Sequence, residues 1–359
     1  MNKDLHGGNI YKFQREGKND ILDYSSNINP LGVPQKFIDI AKESFDKLVN
    51  YPDPYYIELR KKIAEFNSVD MDNIIVGNGA TEILFLYIRA LKPKKVLILA
   101  PCFAEYERAL KSVSAKIEYF ELKESDNFYP NIINLKKEIE NNNYDLLLFC
   151  NPNNPTGQFI KLEDIKEIIE TCENKNTKIF IDEAFIEFIE NWKEKTVSLL
   201  KNKNIFIMRA FTKFFAIPGL RLGYGIGFDD EILKKMWEEK EPWTVNTFAN
   251  LAGLIMLDDK EYIEKSEKWI LEEKKFMYKE LSEFQYIKAY KTECNFILIK
   301  IYNTSSASLR DKMIEKNILI RDASNFKFLD YHFVRLAIKD RKSNLKMMET
   351  LAEFVEYRG

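Results

Sequence analysis

Short apolar runs alternate with amphipathic stretches from residue 74 to residue 228. Seven runs are apolar at nearly every position, which is typical of strands in a sheet that helices cover on both faces. These runs are residues 74–77, 96–100, 116–122, 145–150, 178–182, 204–210 and 222–228. Apolar positions recur at helical spacing in the segments 80–91, 104–110, 135–140 and 161–173. The pattern predicts one large α/β sheet.

A different pattern follows residue 246. Residues 247–283 form a long helical stretch that is rich in Lys and Glu. Further strands are predicted at 295–301, 317–322 and 332–338, and a terminal helix at 342–357. This mixture predicts a smaller α+β domain over residues 246–359. The rest of the chain then divides into a large domain at 41–245 and a turn-rich arm at 1–40.

Composition limits the chemistry that this chain can perform. Its 359 residues include 54 Lys and Arg against 56 Asp and Glu, a formal net charge of −2. That balance gives no general attraction to nucleic acid or to an acidic membrane, so we expect neither as a partner. The chain has two histidines, His6 and His332. Their separation excludes an HExxH zinc helix and argues against a Ser-His-Asp triad, so we expect no metal and a different proton-transfer group.

The cysteines and the first residues indicate a compartment. None of the four cysteines has the spacing of a zinc cluster. They are Cys102, Cys150, Cys172 and Cys294. The N-terminus lacks an apolar leader, and no stretch approaches the roughly 18 apolar residues of a membrane span. We therefore expect a cytoplasmic protein with free thiols.

Two glycine- or asparagine-rich motifs follow predicted strands, where open α/β sheets bind ligands. GNGATE at 77–82 joins a strand to a helix. Its backbone N–H groups suit a phosphate, although such turns are also common without a ligand. NPNNPTG at 151–157 is either a proline-stiffened surface loop or a loop that fixes asparagine amides at a strand end.

A carboxylate and a lysine follow two other strands. Asp182 closes an apolar run and is either an N-cap or a fixed negative charge in a site. Lys213 lies within FTKFFAIPG, and Arg221 follows eight residues later. Most lysines are solvated, but burial and nearby cations lower the pKa of an amine from about 10.4 and make it a nucleophile.

Together these motifs supply the groups that pyridoxal phosphate requires. This cofactor needs an amine, a carboxylate beside its pyridine nitrogen, an anion cradle, a stacking ring and a donor to its ring oxygen. The candidates are Lys213, Asp182, the turn Gly79, Ala80 and Thr81 with Arg221, Phe103 and Asn154.

The order and spacing of GNGATE, NPNNPTG, DEAF and TKFFAIPGLRLGYG make the chain similar to the fold-type-I pyridoxal-phosphate enzymes. The resemblance runs from HGGNI to VRLAI. It lies in the class I/II aminotransferase branch that contains histidinol-phosphate aminotransferase and threonine-phosphate decarboxylase. It implies a large, mostly parallel seven-stranded sheet domain with a smaller α+β domain. It also implies that Lys213 forms the cofactor imine, Asp182 pairs with the pyridine nitrogen and Asn154 contacts the ring oxygen.

The same resemblance implies further contacts. The cofactor phosphate would be held by Gly79, Ala80, Thr81, Thr212 and Arg221. Phe103 would stack on the ring, while Ala210 replaces a serine that often helps to bind the phosphate. Arg335 in HFVRLAI resembles the arginine that receives the substrate carboxylate, a task suited to a guanidinium fork. Tyr51 resembles the residue that a neighbouring subunit lends to the cofactor phosphate, which implies a homodimer.

Three features are similar to the decarboxylase within this branch. The segments HGGNI with LDYSSNINPLG and NILIRDASNF match its pattern. Phe185 stands where the aminotransferases usually carry a tyrosine that hydrogen-bonds the ring oxygen. His6, Asn29 and Arg321 are then candidates for binding the phosphate or carboxylate of a phosphorylated amino acid, with Asn154 also near the substrate.

These resemblances imply decarboxylation of L-threonine O-3-phosphate to (R)-1-amino-2-propanol phosphate in cobalamin biosynthesis. Histidinol-phosphate aminotransferase or a related aminotransferase is the alternative, because the whole branch begins with the same cofactor chemistry. A non-catalytic cofactor-binding module is a third alternative. Regulators of that kind need a DNA-binding segment, for which the N-terminal region has neither the length nor the basic charge.

Overall fold

Seven strands form the central sheet of the computed structural model, which describes residues 6–356. In these residues the strands of all the sheets are β1 Leu22–Asp23, β2 Ile74–Asn78, β3 Lys95–Ala100, β4 Lys116–Glu121, β5 Leu146–Cys150, β6 Lys178–Asp182, β7 Ile205–Ala210, β8 Leu222–Gly227, β9 Ile287–Ala289, β10 Phe296–Ile301, β11 Ile318–Leu319, β12 Arg321–Asp322 and β13 Phe333–Ala337, and the central sheet contains β2 to β8. The α-helices are α1 Ile10–Arg15, α2 Gln35–Lys42, α3 Ile57–Asn67, α4 Ala80–Leu91, α5 Glu105–Lys111, α6 Ile132–Asn141, α7 Leu162–Asn174, α8 Phe211–Phe214, α9 Asp230–Glu239, α10 Thr247–Met256, α11 Lys260–Ser282, α12 Ser306–Glu315 and α13 Arg341–Ala352. Short 3₁₀ helices cover Phe45–Val49, Met71–Asn73, Glu124–Asp126, Ile186–Phe188, Trp192–Glu194 and Val197–Leu200.

The central sheet has the strand order β2, β8, β7, β6, β5, β3, β4. Strands β3 to β7 pair in parallel, and β8 runs antiparallel to both β2 and β7. Because β8 is reversed between two neighbours, β2 has the same direction as β3 to β7. The large, mostly parallel seven-stranded sheet predicted from the sequence is therefore confirmed, and the carboxyl ends of six strands share one edge.

Helices cover both faces of this sheet, which explains the continuous apolar runs. Ile179 and Ile181 of β6 point into one apolar cluster, whereas Phe180 points into the other. The second cluster is completed by buried residues of α4, α5 and α9. Burying a side chain of this size contributes about 1.5–3 kcal/mol, so neither face of the sheet can be left open to water.

The N-terminal arm is joined to the C-terminal part of the chain. Strand β1 pairs in parallel with β11. Beyond β1, the Tyr24 amide donates to Leu319, and the Tyr24 carbonyl accepts from the amide of Ala337. A four-stranded sheet of order β12, β13, β10, β9 lies in the same C-terminal part. The predicted domain boundaries after residues 40 and 245 stay predictions.

Two details differ from the sequence prediction. The helical stretch expected at 247–283 is divided into two helices, α10 and α11, because the Asp259 side chain accepts from the amide of Tyr262 (3.2 Å) and starts a new helix. The run 317–322 is likewise two strands. Its first half pairs with β1 and its second half with β13.

A fully buried ion pair lies beside the carboxyl end of β6. Arg209 of β7 donates from Nε to Glu183 Oε2 (2.9 Å) and from Nη2 to Thr196 Oγ1 (2.6 Å). Arg209 and Glu183 have no solvent exposure. The Trp192 ring lies 4.8 Å from the guanidinium carbon. The network therefore fixes the backbone immediately after Asp182.

We expect Glu183→Gln to lower the free energy of unfolding by about 3 kcal/mol, because it removes the nearer of two carboxylates that balance the buried Arg209 charge and leaves only Glu187, 3.5 Å away. Urea unfolding of the purified protein measures the loss. The matched control is Glu261→Gln, which breaks an exposed helical pair with Lys265 and should change the midpoint little. Equal midpoints for the two variants would contradict the structural role given to the buried pair.

Candidate active site

A cavity of about 330 Å³ opens at the edge where the strands end. It brings together most of the side chains that the sequence predicts for a site. The predicted residues along its wall are His6, Ala80, Thr81, Phe103, Asn154, Asp182, Thr212, Lys213, Arg221, Arg321 and Arg335. They come from the arm, the central sheet and the C-terminal part, so the site depends on all three.

Lys213 enters the cavity from α8, which begins directly after β7. Its neighbours in this helix, Phe211 and Phe214, are buried. Burial lowers the pKa of the Lys213 amine to about 8, and the positive charges of Arg335 and Arg221 act in the same direction. A substantial fraction of the amine is therefore neutral near physiological pH and can act as a nucleophile or proton acceptor.

Asp182 lies at the end of β6 and is buried. Its Oδ2 accepts from the Tyr106 hydroxyl (2.6 Å), and its Oδ1 accepts from the amide of Ala184 (2.9 Å). Burial raises the pKa of Asp182 to about 6, while these two hydrogen bonds and Lys213 oppose the rise. The carboxylate thus caps the following turn and also presents a negative charge to the cavity at neutral pH.

The N-terminus of α4 and Arg221 form an anion cradle. Gly79 precedes this helix at φ +82°, and a Cβ added there would lie 2.4 Å from Arg221 Nη2, so glycine is required. Arg221 Nη1 donates to the Pro218 carbonyl (3.2 Å). Thr81 in the first turn of α4 and Thr212 in α8 add hydroxyl groups to the wall. A helix N-terminus beside a guanidinium attracts an anion such as a phosphate.

The three asparagines of the 151–157 loop have different tasks. The Asn151 side chain donates to the Ile160 carbonyl and accepts from its amide, which holds the loop to the following segment. Asn153 donates to the carbonyl of Pro101 (3.2 Å). Asn154 lines the cavity, and its Oδ1 accepts from Arg335 Nη1 (2.5 Å). The loop therefore presents one amide, whose Nδ2 is a donor, to a ligand.

Two buried arginines from the C-terminal part of the chain add positive charge to the cavity. Arg335 of β13 donates from Nη2 to the Ser25 carbonyl (2.6 Å), and its buried Nε has no hydrogen-bond partner among residues 6–356. Arg321 donates to the Asp322 carbonyl (2.6 Å) and to Asn325 Oδ1 (2.8 Å). Burial lowers the pKa of Arg335, and Arg321 lowers it further. An anionic group bound here would relieve both effects.

The arm adds His6 beside Phe103. The ring centroids of these residues are 5.5 Å apart, and His6 Nε2 is 2.8 Å from Glu105 Oε1. A Cβ on Gly7 would lie 2.0 Å from the Ser25 carbonyl oxygen, so the arm can approach this closely only with glycine. His6 is therefore held at the cavity, as its predicted substrate contact requires.

Two predicted residues lie elsewhere. Asn29 does not line the cavity, and its contact with the substrate stays a prediction. Its Nδ2 donates to the Phe214 carbonyl and to Ser266 Oγ (both 2.8 Å), and its amide donates to the Lys213 carbonyl (3.1 Å). These hydrogen bonds to the carbonyls of Lys213 and Phe214 hold α8 in place. Tyr51 is also outside the cavity, 81% exposed, with its ring 4.9 Å from that of Trp243.

Sequence reasoning missed several polar residues of the site. Ser25 and Ser26 line the cavity, and both hydroxyls donate to Asp23, whose charge faces Lys213. These residues belong to the same polar segment as Asn29, but a turn-rich segment does not reveal which side chains turn inward. Tyr106, three residues after Phe103, was missed because its position in the helical pattern is equally typical of a tyrosine in the hydrophobic core.

The donor set fits pyridoxal phosphate. Lys213 supplies the amine, Asp182 the carboxylate, the α4 N-terminus with Arg221 the cradle, and Phe103 an aromatic face. Arg335, with its unpaired buried Nε, is left to bind a further anion. None of the helices in residues 6–356 is long and apolar enough to cross a membrane. Over the same residues, no cluster of His, Cys, Asp and Glu could hold a metal ion.

Comparisons relate the chain to known proteins. The family model described as aminotransferase class I and II matches residues 19–351. A provisionally named threonine-phosphate decarboxylase from Caldanaerobacter subterraneus subsp. tengcongensis is 44% identical, over 98% of this chain and 94% of that protein. The threonine-phosphate decarboxylase of Salmonella typhimurium is 33% identical over 96% of this chain and 95% of its own. The crystal structure of the histidinol-phosphate aminotransferase from Clostridium acetobutylicum is 37% identical, with a TM-score of 0.86 over 92% of this chain and 98% of that chain.

We expect Lys213 in the cofactor-free protein to be acylated half-maximally at a pH of about 8, where half of its amine is unprotonated. The internal control is Lys265, whose pKa is raised by its hydrogen bond with Glu261 and which should react only at higher pH. Brief treatment with acetic anhydride across a pH series, followed by peptide mass spectrometry, gives both profiles. Coincident profiles would contradict the lowered pKa.

Proposed function

Because this chain belongs to the aminotransferase class I and II family and is a pyridoxal-phosphate enzyme, we propose that it decarboxylates L-threonine O-3-phosphate to (R)-1-amino-2-propanol phosphate. We place this reaction in cobalamin biosynthesis and in the cytoplasm. The relatives named for this activity, at 44% and 33% identity, support the proposal. The four cysteines are all unpaired, which fits a reducing compartment.

The observation that carries the proposal is the number of cationic groups in the cavity. Arg221 and the α4 N-terminus account for the cofactor phosphate. Arg335, Arg321 and the His6 side chain line the same cavity, and we assign them to the substrate. Threonine phosphate carries two anionic groups, a carboxylate and a phosphate, that these residues can receive. Histidinol phosphate has only a phosphate, which makes less use of this charge.

The residues of the chain have distinct roles in this proposal. When bound, pyridoxal phosphate supplies an electron sink. Asp182 keeps a negative charge beside the pyridine nitrogen, and Asn154 Nδ2 donates to the ring oxygen. Lys213 Nζ can take up and return a proton near neutral pH, because its pKa is about 8. Arg335 and Arg321 bind the substrate anions, and thereby set which bond to the substrate's α-carbon faces the cofactor.

Phe185 supports decarboxylation over transamination. Its buried side chain lines the cavity, and its ring packs edge-on against Phe296 at 5.2 Å. The related aminotransferases are expected to place a tyrosine hydroxyl at this position. A phenyl ring gives the cavity an apolar wall, which disfavours the charged carboxylate more than the neutral carbon dioxide that leaves.

A second candidate function is transamination of histidinol phosphate. It is favoured by the 37% identity and TM-score of 0.86 with the Clostridium acetobutylicum enzyme. An aminotransferase also binds an acidic amino donor or keto acid, so Arg335 has a use in both reactions. The two functions differ in whether a keto-acid acceptor is consumed.

We expect the purified enzyme with pyridoxal phosphate to release one carbon dioxide per threonine phosphate, without any added keto acid. Lys213→Ala should lose the visible absorption band of the bound cofactor and lower turnover by at least about 10³-fold, because it removes the attachment and proton-transfer group. Carbon dioxide capture and chromatography of the amine measure the reaction. A strict, stoichiometric requirement for 2-oxoglutarate would replace the decarboxylase with the aminotransferase.

We further propose a homodimer with Tyr51 at the interface. Exposed apolar side chains cluster near Tyr51 in the sequence. Isolated exposed apolar residues are common on protein surfaces, but a cluster of them is typical of an interaction site. They are Phe45, Leu48, Val49, Tyr51 and Tyr55, with Trp243 beside Tyr51. A partner that covers this patch could bring its Tyr51 hydroxyl to the cofactor phosphate.

We expect Val49→Asp to shift the protein from dimer to monomer and to weaken cofactor binding, because a carboxylate would be buried in an apolar interface. Ile133→Asp is the matched control. Ile133 is also highly exposed, but it lies on α6 and away from this patch. Sedimentation velocity measures the mass of both variants. A wild-type protein that sediments as a monomer at micromolar concentration would refute the dimer.

A further inference from the structure

A buried tyrosine hydroxyl touches the carboxylate on which the cofactor's ring nitrogen depends. Tyr106 has no solvent exposure, and its hydroxyl lies 2.6 Å from Asp182 Oδ2, a short distance typical of a hydrogen bond to a charged acceptor. The pKa of Tyr106 is raised well above its ordinary value by burial and by Asp182. The phenol therefore remains a donor over the whole working pH range.

Asp182 receives one donor on each oxygen. The Ala184 amide binds Oδ1, and Tyr106 binds Oδ2. The amide is part of a turn that any side chain at 184 would form, whereas the hydroxyl depends on one residue type. The buried carboxylate would otherwise be favoured in its neutral form, in which it cannot hold a proton on a neighbouring ring nitrogen.

Tyr106 is held rigidly enough to position the carboxylate. It lies in the first turn of α5, and its ring meets that of Phe103 edge-on, with centroids 5.7 Å apart and planes at 83°. The Tyr106 hydroxyl also contacts Cys150 of β5, which lies directly opposite Asp182 of β6 in the sheet register. The segment 103–106 thus supplies both the Phe103 ring, which lines the cavity, and the Tyr106 hydroxyl, which donates to the Asp182 carboxylate.

From this geometry we infer that Tyr106 is a positioning residue, whose hydroxyl orients Asp182 and keeps its carboxylate ionised. The inference rests on the proposed cofactor role of Asp182, but not on which substrate reacts. Other charged or titratable groups face Asp182 as well. They are Glu183 after β6, Lys213 on α8 and Cys150 on β5. The test must therefore separate the hydroxyl of Tyr106 from these neighbours.

The experiment measures the dissociation constant of pyridoxal phosphate, by fluorescence, for the wild type and Tyr106→Phe. We expect about a fivefold weaker affinity for the variant near pH 6, because loss of the donor raises the pKa of Asp182 from about 6 to about 7 and lowers its ionised fraction from about a half to about a tenth. Near pH 8.5 the carboxylate is ionised in both proteins, so the difference should be within about twofold. This dependence on pH is what a purely packing role would not produce.

Two further variants provide controls. In an Asp182→Asn background, Tyr106→Phe should change the affinity by less than about twofold at either pH, because the acceptor charge is absent. Tyr87→Phe removes a hydroxyl from a buried tyrosine of the same apolar cluster, whose ring stacks on that of Phe206, and should bind cofactor like the wild type.

An equal loss of affinity at both pH values, or the same loss in the Asp182→Asn background, would overturn the inference. The outcome is independent of the substrate assignment. If the pH-dependent loss is found while threonine phosphate is not decarboxylated, the positioning role stands and only the proposed reaction fails.

Discussion

Repulsion between like charges is the constraint around which this cavity is built. Lys213 of α8, Arg221 just before β8 and Arg335 of β13 face one space. Burial, reinforced by the charges of the two arginines, lowers the pKa of Lys213 and makes a reactive neutral amine accessible near neutral pH. Such a concentration of positive charge is stable only if the surrounding structure is rigid and if anions balance it. Asp182 and Asp23 are the carboxylates that the chain supplies for this purpose.

Rigidity comes from polar contacts that cross between parts of the chain. Arg335, on a C-terminal strand, donates to Asn154 in the central-sheet loop and to Ser25 in the arm. The buried pair of Arg209 and Glu183 holds the backbone next to Asp182. Each of these contacts joins segments that are distant in sequence. The cavity is therefore a property of the assembled fold, and the individual motifs do not form it alone.

Much of the fold could be predicted because burial on both faces leaves continuous apolar runs in the sequence. All seven strands of the central sheet were located in this way. The break between α10 and α11 was not, since a single aspartate cap starts a new helix without altering the apolar spacing of the segment. Site residues at strand ends, such as Asp182, could be proposed because parallel strands bring their ends to one edge.

Side-chain direction within turns and helices was harder to predict. Asn29 and Ser25 belong to one polar segment, but only Ser25 faces the cavity. The segment is held in place by the pairing of β1 with β11, a strand almost 300 residues later, and no local pattern shows this pairing. Tyr106 has the spacing of a core residue. Its contact with Asp182 joins the helix after β3 to the end of β6, which lies two positions away in the sheet, and the sequence does not show that these ends meet.

The pairing of β1 with β11 also has a consequence for how the protein is made. Leu22 is opposite Ile318, so the two partners are separated by 318 − 22 = 296 residues. A ribosome has finished the entire central sheet before the partner of the arm exists. Strand β1 and the neighbouring Ser25, whose carbonyl accepts from Arg335, therefore lack these native partners during most of synthesis. The N-terminal arm is synthesised first, but it can complete the cavity only after the C-terminal part has been synthesised and has folded.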